Sequence, residues 1–223
     1  MLEAILAPLR DAMHIISISL LIPTIAILLL LLATALVELG SLLVEAVLER
    51  PRIKANVQEL VGAFQYKNAE EIMEIVRQSR LFRRHKEILC GLIEHCYLPP
   101  ASLKALARHL ITVEELHYSK IVGLTDLVAR LGPMFGLMGT LIPLGPGILA
   151  LSHGDTKTLS ESLLVAFDTT VLGLAASGLA YTISRLRKRW YEEYLSSLEA
   201  LMESLLEVFD SGKGPAKQKE QDF

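Results

Sequence analysis

Three hydroxyls and one acid stand in segments that otherwise carry no charge. Thr140, Thr169 and Thr170 are hydroxyls inside long uncharged segments, and Asp168 is an acid beside two of them. A threonine hydroxyl donates one hydrogen bond and accepts two without carrying charge, so several at one depth can hold a partner's carboxylate or a water. The alternative is that each bonds back to a carbonyl of its own helix. Asp168 lies two residues before Thr170, about 200° around a helix, so the two should not point the same way. An acid inside a membrane segment is a functional hypothesis by default. For Asp168, helping ions to enter and structural hydrogen bonding both stand as readings, as does reaching to the outer surface. Enzyme motifs are missing: no Gly-rich phosphate loop ending in Lys-Ser/Thr, no H-E-x-x-H and no G-x-S-x-G. An intramembrane aspartyl protease would need two facing carboxylates.

The elements that must position these groups are three apolar windows, residues 15–37, 131–152 and 162–184, in which Asp168 is the one formal charge. Each has 22 or 23 residues, roughly 33–34 Å as helix, enough to cross a ~30 Å hydrocarbon core. The first is too long for a signal-peptide core and has only Arg10 before it as a basic residue. It reads as a retained span bent at Pro23, with the freed carbonyl met by Ser19 or Thr24. In the second, Gly132, Gly136 and Thr140 recur every four residues on one face, alongside Gly139. In the third, Ala166, Thr170, Gly173, Ser177 and Ala180 form another stripe of small residues. Such stripes allow close helix approach in lipid, so the two spans should pack as an antiparallel hairpin. Thr140 then sits roughly 14 Å, and Thr170 roughly 18–20 Å, above the inner end, within about one helical turn.

Lys and Arg are one-sided. The segment 50–130 and the tail after Ser184 hold 20 of the 22, and the positive-inside rule places that side in the cytoplasm with the N-terminus outside. Arg185, Arg187, Lys188 and Arg189, just past the third span, read as a topology anchor rather than a specific lipid site. The organisation is therefore an extracytoplasmic arm at 1–14, spans at 15–37, 131–152 and 162–184, a cytoplasmic helical region at 38–130, an outer turn at 153–161, a cytoplasmic helix at 185–210 and a disordered tail at 211–223. Asn68 should open a helix with Glu70 and Glu71 in its first turn. Pro99-Pro100 breaks the region, and from Ser102 a helical pattern runs almost unbroken into the second span. Cys90 and Cys96 read as reduced thiols. His85, His95, His109 and His117 read as solvated or packed rather than metal-binding, and no cofactor is called for. A net charge of −3 and a pI near 6.1 give no sign of nucleic-acid binding.

The run Gly136-Leu-Met-Gly-Thr140, with Ala166-Phe-Asp-Thr-Thr-Val-Leu-Gly-Leu-Ala175, resembles the MotA, TolQ and ExbB proton-channel family over about residues 120–192. Three spans with a large cytoplasmic loop are similar to TolQ and ExbB. The resemblance implies a homopentamer around a dimer of a single-span partner of the ExbD, TolR or MotB kind, whose membrane Asp carries the proton. It puts Thr140 and Thr170 on the proton path, with Thr169 as a neighbouring hydroxyl. Asp168 and the Pro-interrupted run Leu141–Pro146 depart from the family pattern. The expectation is an all-α integral membrane protein with three transmembrane helices and long cytoplasmic helical extensions. It would serve in the inner membrane as the channel-forming subunit of an ion-driven motor. The rival reading is a non-conducting membrane scaffold. An ordinary transporter fits less well, since no inverted repeat is visible.

Overall fold

A computed structural model describes residues 12–13, 15–48, 57–65, 67–79 and 81–213. Most of the arm expected at 1–14, and the tail beyond Lys213, lie outside these residues. The fold is all-α, without a strand among the described residues. Its helices are α1 (Leu21–Leu48), α2 (Val57–Phe64), α3 (Ala69–Gln78), α4 (Arg83–Glu94), α5 (Pro100–Ser152) and α6 (Thr156–Lys213). Three helical stretches are long and apolar enough to cross a membrane: Ile15–Val47, Pro100–Ser152 and Thr156–Asp210.

Local sequence explains most boundaries. Asn68 is the extended residue before α3, its carbonyl accepting from the Ile72 amide, and Glu70 and Glu71 occupy the first turn. α5 begins at Pro100, two residues before the expected Ser102. Proline at the first helical position lacks only an N–H that would be unpaired anyway. α5 then continues through Pro133, Pro143 and Pro146 without a break. Pro23, the expected site of a bend, lies early in the first membrane stretch. Residues 15–19 are helical, Leu20 is a turn, and Pro23 falls in the first turn of α1. Ser19 and Thr24 do not cover a freed carbonyl; their hydroxyls bond back to Ile15 at 2.8 Å and Leu20 at 2.7 Å.

The connection between α5 and α6 is shorter than the turn expected over 153–161, because α6 is already helical from Thr156. Gly154 takes φ +76°, a left-handed conformation in which other residues are strained, and closes α5. Asp155 then caps α6, accepting from the Thr158 amide at 3.1 Å and the Thr158 hydroxyl at 2.5 Å. Those bonds hold its carboxyl below the usual range. At the far end α6 runs on to Lys213, so the first residues of the expected tail at 211–223 are helix.

The described residues divide into two compact units, one of those in 12–42 with Val122–Leu186, the other of those in 43–121 with Arg187–Lys213. In the first, α1 packs Leu31 and Ala35 against Val128 of α5 and Ala176 and Ala180 of α6. Its outward residues, such as Leu29, Leu30, Leu137, Leu141, Leu164 and Phe167, are large and exposed, as a lipid-facing protein surface requires.

In the second unit, Leu60, Phe64, Ile72, Val76, Leu89, Leu92, Leu198, Leu201 and Leu205 make a buried apolar cluster. Each fully buried Leu contributes about 1.5–3 kcal/mol, whereas a buried ion pair roughly offsets its own desolvation, so the cluster carries the stability. Polar groups are nonetheless enclosed. Arg84 binds the buried Glu114 at 2.5 Å, and His85 Nε2 lies 3.2 Å from the Tyr118 hydroxyl. The Tyr118 ring stacks on Tyr191 at 4.4 Å. Burial pushes both tyrosine hydroxyls above their ordinary range, helped by Glu114 at Tyr118 and by Glu45 at Tyr191.

His85 is 1% exposed, and burial lowers its pKa below 6.5; the Glu114 carboxylate opposes that shift and Arg84 adds to it. The native state therefore binds fewer protons here than the unfolded chain. This contribution to stability is complete above about pH 6.5 and is lost as pH falls toward the lower native value. The melting temperature should fall between pH 7 and pH 5 more steeply for the wild type than for His85→Gln, which can still bond Tyr118 but does not titrate. Equal slopes would show that His85 is not held neutral.

Candidate functional site

α5 and α6 approach until backbone meets backbone. A Cβ on Gly132 would lie 2.7 Å from the Gly173 carbonyl oxygen, and one on Gly173 would lie 2.6 Å from the Gly132 oxygen and 2.9 Å from Gly136 Cα. Further along α5, Gly139 faces Thr169 and Gly147 faces Ser162. Toward the other end, Ser177 lies beside Gly132 and its Oγ donates to the Ala129 carbonyl at 2.7 Å. Residue numbers rise along α5 as they fall along α6, so the pair is antiparallel. The structure thus brings Gly132, Gly136, Gly139, Gly173 and Ser177 into one seam.

That seam separates the three threonines. Thr169 is 3% exposed and turned into it; a Cβ on Gly139 would come within 2.6 Å of its side chain. Its hydroxyl donates to its own helix, with the Val165 and Ala166 carbonyls at 2.9 and 3.0 Å. Thr140 and Thr170 are half-buried at the edge. Gly136 lies opposite Thr170 and Gly139 opposite Thr169, so Thr140, next along α5, is level with this threonine pair. Both edge hydroxyls bond back one turn, Thr140 to Leu137 at 2.6 Å and Thr170 to Ala166 at 2.9 Å. A hydroxyl that donates to its own helix keeps lone pairs to accept from water, and can rotate to donate to a carboxylate instead. Asp168 is exposed on another side of α6, between the exposed Phe167 and Val171. It does not join Thr140 and Thr170.

One polar pair at the seam lies outside the residues expected from sequence. The Ser184 hydroxyl, almost fully buried, donates to Asp126 Oδ1. The second apolar window is charge-free and stops at 131, just past Arg130, and so leaves the carboxylate out. The signal was periodic: Thr170, Ser177 and Ser184 recur every seven residues.

The basic cluster after the third window is not uniform. Arg185 lies over the Tyr181 ring at 5.6 Å, Arg189 pairs with Glu193 at 3.7 Å, and Lys188 is exposed. Arg187 is the buried member of the four. It is 2% exposed, with Nε 3.5 Å from Glu45 Oε2, because it falls on the α6 face that also carries the buried Tyr191 and Tyr194.

Residues 97–200 match the sequence model of the MotA/TolQ/ExbB proton channel family. No curated protein matches the chain.

The seam makes a specific demand on Gly173. In Gly173→Ala the new methyl meets backbone on two sides, which cannot yield as a side chain end can. Overpacking of this kind costs about 1–3 kcal/mol. Gly178, with nothing within 4 Å of its Cβ position, is the control. Melting of the detergent-solubilised protein should drop for Gly173→Ala and hold or rise for Gly178→Ala. Equal melting would mean the two helices are not in backbone contact.

Proposed function

We propose, on the membership in the MotA/TolQ/ExbB proton channel family that this match supports, that the chain is the channel-forming subunit of an ion-driven membrane motor. Five copies surround a dimer of a single-span partner, and the charged unit of each faces the cytoplasm across the inner membrane. The observation that supports it best is the level pair Thr140 and Thr170, half-exposed at the seam edge within the matched segment.

The chemistry follows from charge. A partner carboxylate in lipid is costly when ionised, and fixed hydroxyls lower that cost by donating hydrogen bonds as it loses its proton. When it regains the proton, the same hydroxyl oxygens accept from the neutral acid. The partner therefore alternates between two bonding states against one ring of threonines, and each alternation shifts the packing of its helices. Uncharged hydroxyls suit this work because a lysine or a second acid would hold the partner in one state.

Native mass spectrometry in mild detergent should give a homo-oligomer. A monodisperse monomer that remains active would exclude the assembly. For conduction, Thr170→Ser keeps the hydroxyl and Thr170→Val keeps only the shape. In liposomes holding chain and partner, Ser should retain proton flux and Val should lose it, by roughly one to two orders of magnitude if the bond is charge-assisted. A conducting Val variant beside a non-conducting Ser variant would refute the hydroxyl path. The scaffold reading draws on the bonds of both hydroxyls to their own helix. It expects no flux in any variant, with assembly intact.

A further inference from the structure

Asp126 lies on α5 five residues before the second apolar window, and α6 covers it with the buried Ser184, whose hydroxyl it binds. The way this pair lines up with the threonines reaches beyond a helix clamp. A step of seven residues falls only about 20° short of two full turns, so residues seven apart keep to one side of a helix. Inward from the level pair, that side of α6 carries Thr170, Ser177 and Ser184, and that side of α5 carries Thr140, Pro133 and Asp126.

Contacts tie these two rows together. Thr140 is level with Thr169 and Thr170, Ser177 sits beside Gly132 and bonds Ala129, and Ser184 bonds Asp126. α6 offers a hydroxyl at each level. The row ends about 21 Å inward of Thr140 on a carboxylate. Between Asp126 and Thr140 the only other ionisable side chain on α5 is Arg130, which is exposed.

We propose that Asp126 is the inner relay of the ion path, the carboxylate that takes the ion leaving the Thr140 and Thr170 level and passes it to water on the charged side. The inference rests on the channel reading above. For a proton, the Asp126 carboxylate becomes a carboxylic acid and then returns the proton to water, ending unchanged. Ser177 and Ser184 can each accept a proton on a lone pair and release their own. Successive levels are about 10.5 Å apart, too far for one hydrogen bond, so the proposed path requires water between them. Ser184 fixes where the carboxylate waits. For a sodium ion the same carboxylate is a direct oxygen ligand.

The reading to exclude is that Asp126 and Ser184 only clamp two helices. Asp126→Asn separates them, because an amide oxygen still accepts from Ser184 but cannot bind and release an ion. The experiment uses the full chain co-purified with its partner, in liposomes under an imposed potential. A pH-sensitive dye reads protons and labelled sodium reads the other ion. Asp126→Asn should lower the flux of the conducted ion about tenfold or more, with the oligomer intact by native mass spectrometry. Asp126→Glu should keep most of the flux. Wild-type flux in Asp126→Asn would overturn the relay and leave the channel reading standing. Loss of the assembled complex in Asp126→Asn would make the residue structural and also overturn it. A wild type that conducts neither ion would remove the channel reading itself, and the relay with it.

Discussion

The close approach of α5 and α6 at Gly132, Gly136 and Gly173 sets the rest of the membrane unit. Inside lipid, helices gain nothing by hiding apolar surface from one another, so their contact rests on packing and hydrogen bonds. Here the packing is backbone on backbone, with no room for a Cβ on Gly132 of α5 or on Gly173 of α6. Such a contact fixes the register, since sliding one helix by a residue would drive a side chain into the opposing backbone. Everything polar in the seam takes its level from that register. Thr169 meets Gly139, Ser177 reaches the Ala129 carbonyl, and Ser184 reaches Asp126.

The same two helices obey a second rule in the charged unit. There the α5 and α6 contacts are Leu103, Ala107, Leu198, Leu201 and Leu205, packed with residues of α2, α3 and α4 in a conventional apolar core. Water supplies the driving force, so large side chains replace glycines. Ionisable groups are still enclosed, and each is held against an opposite charge or a ring: Glu114 by Arg84, Arg187 by Glu45, and His85 by Tyr118 with Phe82 edge-on at 5.4 Å. Pairs of this kind add little net stability, but removing one partner leaves a buried charge exposed to a low dielectric. They specify which helix faces meet.

Where apolar periodicity was long, the sequence reading needed only composition and spacing. The three membrane stretches, the antiparallel hairpin of α5 and α6, the glycine seam and the α3 start at Asn68 are of this kind. What escaped it depended on side chains meeting across the fold. Arg187 was read with three neighbours as a topology anchor, and helical phase turns it inward to Glu45. Thr169 and Thr170 are neighbours with identical chemistry, and only the position of α5 decides that one is buried and the other stands at the edge. Asp126 was hidden by a boundary drawn on charge: a window defined as charge-free must stop short of the carboxylate that ends the polar row. The prolines behaved as a membrane segment allows. Pro143 and Pro146 interrupt the family-like run, and α5 remains helical through both, as membrane helices can where neighbouring groups cover the freed carbonyls.

Asp168 carries the last step. It is exposed on α6 amid Leu164, Phe167 and Val171, apolar side chains that are themselves more than half exposed. Against lipid, an ionised carboxylate at that position costs a few kcal/mol, comparable to a large part of the margin by which a domain stays folded. The seam cannot relieve this cost, because Thr169 rather than Asp168 is turned toward α5. Relief has to come from water, from protonation, or from another chain laid against this face of α6. The glycine seam completes the contact between α5 and α6 within one copy, but it leaves the acid to be satisfied from outside. On the channel reading, a neighbouring subunit laid against this face of α6 is one group that could supply that relief.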